Sequence, residues 1–201
     1  MHQHLYLITP PGADAGFAET LGEALDAAPV AAVLIPRGGR PDAPYADAIR
    51  ALVPVAQARG AAALADNDPA LARAAGADGV HMTGGVDALK AALAALQPDF
   101  IVGAGAGRTR HDAMLAGEAG ADYVFFGTLG PAPADDQAAE MARWWVNTFE
   151  IPAVWFAGDG GPGDDPPGAE FLALRGSVWD AAQGPAAALA RFAATPRRGA
   201  A

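Results

Sequence analysis

The chain has 201 residues, 52% of them hydrophobic and 18% charged, which is enough apolar material for a packed core and excludes general disorder. A formal net charge of −10 argues against a nucleic-acid or anionic membrane partner, and the lack of cysteine excludes disulfides, thiolate catalysis and cysteine-ligated metals. The chain has no apolar run of about 18 residues and no leader pattern at its start, so we expect a cytoplasmic protein.

Short apolar segments alternate with Ala-rich segments along the chain. Strands are predicted at 5–9, 31–35, 61–65, 79–82, 100–105, 123–127, 153–157 and 171–176. These segments are apolar throughout rather than alternating, which is typical of strands buried on both faces of a parallel sheet. Helices are predicted between them, at 14–27, 42–59, 68–75, 86–96, 109–119, 135–149 and 178–193.

One joint between a helix and the next strand occurs twice. The segment DPALARAAGADGVHM begins at Asp68, and DAMLAGEAGADYVFF begins at Asp112, 44 positions later. Asp68 and Asp112 are predicted helix N-caps, while Gly76 and Gly120 suit the left-handed position after a helix. A weaker third copy, GAEFLAL, begins at Gly168. Each copy is therefore interpreted as a helix–turn–strand joint.

Repeated units of this kind build either an open doubly wound sheet or a closed barrel. Eight predicted strands favour a single (β/α)8 TIM barrel over residues 1–194, followed by a flexible tail at 195–201. The segment 158–168 contains too much glycine and proline for a full helix, so helix 7 is predicted to be short or missing.

Active sites of such barrels lie at the carboxyl ends of the strands, where this chain has glycine-rich loops and arginines. Backbone N–H groups in these loops and at helix starts attract anions, although glycines also serve simple tight turns. The candidate phosphate- or substrate-binding residues are Arg37, Arg40, Gly105, Arg108, Gly127, Gly158, Gly160, Arg175, Gly176 and Ser177.

Acidic and histidine side chains in the same loops are candidates for metal binding and catalysis. Asp66 and Asp87 are candidate Mg²⁺ ligands, because Mg²⁺ prefers oxygen donors; the alternative is that they are solvated loop residues. His81, inside the fourth strand, and His111, near a helix start, are candidate catalytic residues. The alternative for His81 is a core histidine whose hydrogen bonds are satisfied within the protein. The alternative for His111 is a solvated surface residue.

Several segments together resemble the thiamine-phosphate synthase and thiazole tautomerase family. They are LYLIT, AGADGVHM, IVGAGAGRTRHDAMLAGEAGADYVFFGTLGP and IPAVWFAG, and the similarity is strongest from about 61 to 131. The resemblance implies a (β/α)8 barrel that binds a phosphorylated thiazole or pyrimidine-type small molecule and uses Mg²⁺. The expected partners are this small molecule and further copies of the chain in a homo-oligomer such as a dimer.

The site motifs depart from the family's pattern. After the second strand only Arg37 matches the family's Gln-x-Arg-x-Lys, with Arg40 in place of the lysine. After the sixth strand, where the synthase has Thr-Pro-Thr-Lys, residues 132–135 read Ala-Pro-Ala-Asp, which removes two hydroxyls and replaces a cation by an anion. These changes predict little or no synthase activity. The alternatives are a non-catalytic binding or regulatory barrel, or different chemistry on a small phosphorylated substrate.

Overall fold

Eight parallel strands close into a barrel in the computed structural model, which describes residues 3–105, 107, 109–129, 136–161 and 168–195. The strands follow one another around the barrel in chain order, and β1 pairs with β8 to close it. Their bounds are β1 His4–Ile8, β2 Ala32–Ile35, β3 Ala62–Asp66, β4 Gly79–Met82, β5 Ile101–Gly105, β6 Tyr123–Phe126, β7 Ala153–Phe156 and β8 Phe171–Leu174. The predicted (β/α)8 architecture is confirmed.

Helices connect most of these strands and cover the outside of the barrel. A short 3₁₀ helix, Ala15–Phe17, precedes the first of them. The helices are α1 Ala18–Ala27, α2 Asp42–Gln57, α3 Pro69–Ala74, α4 Val86–Leu96, α5 Arg110–Ala119, α6 Asp136–Val146, α7 Gly176–Trp179 and α8 Pro185–Ala194. Among the described residues, no helix is long and apolar enough to span a membrane.

The last predicted helix, 178–193, is two helices in the structure. Between α7 and α8, Gly184 has φ +84°, a left-handed backbone conformation that would interrupt a continuous helix. Pro185 then opens α8 at its first position, where its missing N–H costs no hydrogen bond. The Gly–Pro pair therefore divides this segment.

Two predictions concern residues that the structure describes only in part. Between β7 and β8 the described residues, 157–161 and 168–170, contain no helix, while 162–167 lie outside the described residues. A short or missing helix 7 therefore stays a prediction. The predicted flexible tail also lies outside the described residues, apart from Thr195.

The repeated joint has the expected form at its first copy and a different cap at its second. Asp68 caps α3, accepting a hydrogen bond from the Leu71 amide at 2.9 Å. The N-cap of α5 is Thr109, so the prediction of Asp112 as that cap is wrong by one helical turn. Asp112 is instead the acid of a capping box. Its carboxylate accepts a hydrogen bond from the Thr109 backbone amide, and the Thr109 hydroxyl accepts one from the Asp112 backbone amide.

The acid at the end of each joint ties neighbouring strands together. Asp78 accepts a hydrogen bond from the Ala63 amide at the start of β3, and Asp122 accepts one from the Val102 amide in β5, both at 2.7 Å. In the third copy Glu170 accepts the Ala153 amide at 2.8 Å. The repeat therefore recurs because each copy satisfies a backbone donor in the preceding strand.

Two apolar layers hold the barrel. The larger one lies between the strands and the surrounding helices, and the smaller fills the barrel interior with side chains that include Tyr6, Leu64, Tyr123 and Phe125. His81 points to the same interior, because it stacks on Tyr123 and meets Phe125 edge-on. A polar side chain therefore sits inside an apolar layer, close to the end of the barrel where its strands finish.

Candidate active site

A cavity of about 520 Å³ lies at the carboxyl ends of β3, β4, β5 and β6. Its wall includes Asp66 at the end of β3, His81 in β4, Gly105 at the end of β5, and Phe125 and Gly127 in and after β6. This is the end of the barrel at which (β/α)8 proteins place their active sites. The volume is within the range of small-molecule pockets.

Asp66 is a carboxylate of the cavity wall with both oxygens hydrogen-bonded. Its Oδ2 accepts the Arg37 amide at 3.0 Å, and its Oδ1 accepts the Asn67 side-chain amide at 2.6 Å. Burial raises the pKa of Asp66, because the charged form loses hydration, although these hydrogen bonds oppose the shift. The side chain is thus held in one orientation at the wall of the cavity.

A pair of polar side chains at the mouth of the cavity was missed from the sequence. Asn67 has φ +54°, a conformation that Asn tolerates better than most residues. Its amide donates to the Thr83 hydroxyl at 2.6 Å, and its carbonyl accepts the Thr83 backbone N–H at 2.7 Å. These bonds join the loops after β3 and β4. The adjacent Asp66-Asn67 pair was visible, but its partner 16 positions away was not.

The predicted metal ligands do not come together. Asp87 is exposed in the first turn of α4 and does not line the cavity, whereas Asp66 does. Asp112 also lines the cavity, but it serves the cap of α5. In the part of the chain that the structure describes, no three His, Cys, Asp or Glu side chains form a group able to hold a metal. One carboxylate suits Mg²⁺ that arrives with a phosphorylated substrate, since Mg²⁺ commonly takes its remaining ligands from phosphate and water.

His81 is fully buried and hydrogen-bonded to a tyrosine. Its Nδ1 lies 3.0 Å from the Tyr123 hydroxyl, which in turn lies 3.0 Å from the Tyr6 hydroxyl. Burial lowers the pKa of His81 to about 3 and raises the pKa values of both tyrosines, so all three groups are neutral near pH 7. In the sequence the two tyrosines are only members of predicted apolar strands, and the hydrogen bonds of their hydroxyls were not predicted.

The arginines after β2 are engaged within the protein. Arg37 forms ion pairs with Asp42 at 2.5 Å and Asp68 at 2.8 Å, and the hydrogen bond to Asp42 raises its pKa. Arg40 donates to the backbone carbonyls of Ala13, Pro36 and Arg37. Arg40 therefore connects the loops after β1 and β2, while Arg37 forms ion pairs that are partly exposed to solvent.

The predicted phosphate site after β7 and β8 contains an internal carboxylate. Asp159 accepts hydrogen bonds from Arg175 Nε and Nη2, both at 2.8 Å, and from the Gly176 amide at 3.0 Å. These are the donors expected to receive a phosphate. The same hydrogen bond from Arg175 lowers the pKa of Asp159. The Ser177 hydroxyl is buried and has no partner among the described residues.

The other candidates lie in different surroundings. Gly158 and Gly160 are the chain neighbours of Asp159. Gly158 is buried with φ +84°, and Gly160 is exposed. His111 is exposed near the start of α5 and does not line the cavity. Arg108 lies outside the described residues. Of the described candidates, Asp66, His81, Gly105 and Gly127 line one cavity. Arg37 and Arg175 each hydrogen-bond a residue of its wall, Asp66 and Leu129 respectively, and form its rim.

A closed barrel of eight parallel strands with a cavity at its carboxyl end is the architecture of the (β/α)8 class, whose members place their active sites at that end. Residues 5–160 match the family described as thiamine monophosphate synthase. The chain is 41% identical to the thiamine-phosphate synthase of Rhodospirillum centenum, covering 94% of this chain and 95% of that protein. It is 37% identical to the thiamine-phosphate synthase of Hyphomonas neptunium, covering 94% and 91% respectively. The chain therefore belongs to the thiamine monophosphate synthase family.

The fold of a solved family structure agrees with this assignment. The thiamine phosphate pyrophosphorylase from Pyrococcus furiosus superposes with a TM-score of 0.74 at 22% identity, covering 96% of this chain and 95% of that one. At this identity the likeness concerns the fold alone. It confirms that the whole barrel, and not only the matched segments, follows the family's architecture.

Proposed function

We propose that the protein is a thiamine-phosphate synthase, which joins an aminopyrimidine diphosphate to a thiazole phosphate. In this reaction the bond between the pyrimidine methylene carbon and the diphosphate oxygen breaks, and a bond from that carbon to the thiazole nitrogen forms. The observation that carries the proposal is the cavity at the carboxyl ends of β3 to β6, in a chain that matches thiamine-phosphate synthases over 94% of its length.

The cavity wall suits an aromatic ring more than a phosphate. Phe125 and His81 are among the residues that line it, and the described lining includes the carboxylates of Asp66 and Asp112 but no arginine or lysine. A heteroaromatic ring packs against such rings, whereas phosphates need cations. The substrate rings are therefore assigned to the cavity and their phosphates to its rim.

The rim arginines then receive the phosphates by exchanging carboxylate partners. Arg37 follows β2 and Arg175 follows β8, and each is now paired with aspartate. Arginine binds phosphate oxygens in the same forked manner as carboxylate oxygens, so such an exchange keeps its hydrogen bonds. Asp66 would hold the Mg²⁺ of the family, which supplies charge neutralisation at the departing diphosphate.

This proposal revises the expectation of little or no synthase activity. That expectation came from departures from the family's motifs after the second and sixth strands, of which residues 132–135 lie outside the described residues. Relatives named thiamine-phosphate synthase at 41% and 37% identity over nearly the whole chain support an active enzyme instead. A barrel that binds the substrates without joining them is the alternative that the following assay excludes or establishes.

The test measures thiamine phosphate and released diphosphate from the two substrates with MgCl₂. We expect turnover by the native protein and a fall in kcat/KM of about tenfold or more in Asp66→Asn, because the variant loses the carboxylate that would hold Mg²⁺ at the departing diphosphate. Asp87→Asn is the matched control, since Asp87 is exposed and does not line the cavity. If both substrates bind but a molar excess of enzyme forms no product, the barrel is a binding protein and the proposal is wrong.

A further inference from the structure

Three side chains form a hydrogen-bonded row across the barrel interior, and its last member touches the cavity. Tyr6 in β1 bonds Tyr123 in β6, and Tyr123 bonds His81 Nδ1 in β4. The cavity wall includes His81 but neither tyrosine. His81 Nε2 is buried and has no hydrogen-bond partner among the described residues. Because Nδ1 is taken by Tyr123 and His81 is the member of the row that lines the cavity, we infer that Nε2 is the atom of the row available to a ligand.

Two arrangements of the protons let the Tyr123 hydroxyl accept one hydrogen bond of the row and donate the other; a third, in which Tyr123 accepts both, leaves its own proton and the Nε2 lone pair unpaired. In the first, Tyr6 donates to Tyr123 and Tyr123 donates to His81 Nδ1, which leaves the imidazole proton on Nε2. In the second, His81 Nδ1–H donates to Tyr123 and Tyr123 donates to Tyr6. The Tyr6 proton then has no acceptor, because the Tyr6 hydroxyl has no other partner in the described part of the chain.

The first arrangement is favoured by this accounting. It leaves one buried group unpaired, the Nε2–H, at the cavity. The second leaves two, the Tyr6 proton deep in the barrel and the Nε2 lone pair. An unpaired buried donor carries its full desolvation penalty, so the arrangement with fewer such groups has the lower free energy. In the first arrangement a ligand acceptor at Nε2 satisfies the one unpaired group, whereas in the second the Tyr6 proton stays unpaired whatever a ligand donates to Nε2, because Tyr6 does not line the cavity.

We propose that Tyr123 is a positioning residue that holds His81 as the tautomer protonated on Nε2, so that His81 donates a hydrogen bond to an acceptor atom of the bound ligand. The acceptor is a ring nitrogen or an oxygen carrying a free lone pair. His81 then acts as a neutral donor and not as a general base, since its Nδ1 lone pair is occupied by Tyr123. The assignment of the tautomer does not depend on the proposed function. The choice of a heteroaromatic substrate as the ligand rests on the proposed function.

Nitrogen NMR of the protein labelled at histidine tests the tautomer directly. The signal of His81 is assigned by its loss in His81→Gln, which separates it from the other histidines of the chain. We expect a protonated Nε2 and an unprotonated Nδ1 in the native protein at pH 7. Tyr123→Phe removes the donor to Nδ1 and should convert His81 to a mixture of tautomers. Tyr6→Phe is the matched control and should leave the Nε2–H form intact, because Tyr123 still donates.

Kinetics with the two synthase substrates test the ligand contact. Tyr123→Phe should lower kcat/KM about tenfold, the effect of losing about one hydrogen bond, while Tyr6→Phe stays within about threefold of native. A native Nδ1–H tautomer, or an unchanged tautomer in Tyr123→Phe, overturns the role of Tyr123. The expected tautomers with equal kcat/KM in all three proteins overturn the ligand contact. A native protein with the expected tautomer and no turnover contradicts only the proposed function.

Discussion

Burial lowers the pKa of His81 to about 3, because the imidazolium ion would lose its hydration inside the barrel. In the unfolded chain a histidine titrates near 6.5, so below that pH the unfolded state binds a proton that the folded state does not. Stability from this neutral histidine is therefore complete above about pH 6.5 and decreases as the pH falls toward 3, by up to about 5 kcal/mol.

This linkage predicts a difference in how pH affects unfolding. Between pH 6 and pH 4 the native protein should lose about 1.4 kcal/mol more per pH unit than His81→Gln, which has no proton to take up at this position. Urea unfolding at several pH values measures the two slopes. His111→Gln is the control, since His111 is exposed, and it should follow the native slope. Equal slopes for native and His81→Gln would show that His81 titrates normally in the folded protein.

Asp159 occupies donors that a substrate phosphate would otherwise use. Arg175 is almost fully buried, and Asp159→Ala removes the carboxylate with which it forms an ion pair. Asp159→Ala should therefore lower Tm, and inorganic phosphate should raise the Tm of this variant more than that of the native protein. Thermal unfolding with and without phosphate gives both values. Asp180→Ala, at an exposed acid beside α7, is the control. Equal phosphate shifts in the native protein and Asp159→Ala would mean that the carboxylate does not compete with an anion.

At the level of elements, β5 and β6 meet where one strand has a glycine and the other a tyrosine. Gly103 and Tyr123 are partners in the strand register. A Cβ at Gly103 would lie 1.9 Å from Tyr123 Cζ and 2.4 Å from its hydroxyl. Because Gly103 has no side chain, the Tyr123 ring can lie directly against β5. In this position the Tyr123 hydroxyl is within hydrogen-bond distance of both Tyr6 and His81.

Gly103→Ala should consequently destabilise the barrel by about 1–3 kcal/mol, because the Tyr123 ring must move and its hydrogen bonds must break. The measurement is the free energy of unfolding in urea, with the His81 nitrogen signals as a local probe. Gly12→Ala is the control, since no heavy atom lies within 4 Å of its added Cβ and its backbone is not left-handed, and it should change stability by less than about 0.5 kcal/mol. Native stability together with unchanged His81 signals in Gly103→Ala would contradict this account of the strand pair.

The elements also show which local features a sequence reveals. The strands lie within one or two residues of their predicted bounds, because each is a short apolar run ended by turn residues. The N-cap of α5 was placed one turn late because Asp112 resembles Asp68, while Thr109, the residue that caps the helix, lies outside the repeated segment. The division of 178–193 at Gly184 and Pro185 was visible as a Gly–Pro pair but was read as part of one helix.

For the whole molecule, charge bears on how a metal is bound. The net charge is −10, yet the described acids are dispersed, and no three of the described His, Cys, Asp and Glu side chains form a metal-binding group. Calorimetry with MgCl₂ alone should therefore detect no micromolar binding. In the presence of inorganic diphosphate, binding should appear and should weaken in Asp66→Asn but not in Asp87→Asn, because the diphosphate completes the ligand set. Micromolar Mg²⁺ binding without diphosphate would contradict this prediction.

The sequence by itself determined the barrel and the end of it at which the site lies. Apolar periodicity, turn residues and the repeated joint are local signals, and in a closed parallel barrel they place the residue after every strand at one end. For that reason Asp66, His81, Gly105 and Gly127 were identified before the structure brought them to one cavity.

Only the tertiary structure decided which polar groups pair with one another. Arg175 was predicted to meet a phosphate, yet it is paired with Asp159, 16 positions away, and the Tyr6 hydroxyl bonds Tyr123 from a distance of 117 positions. No pattern in the sequence links such positions, because the closure of the barrel and the space beside Gly103 bring them together. The neutral state of His81 follows from the fold as well, since burial inside the barrel lowers its pKa to about 3.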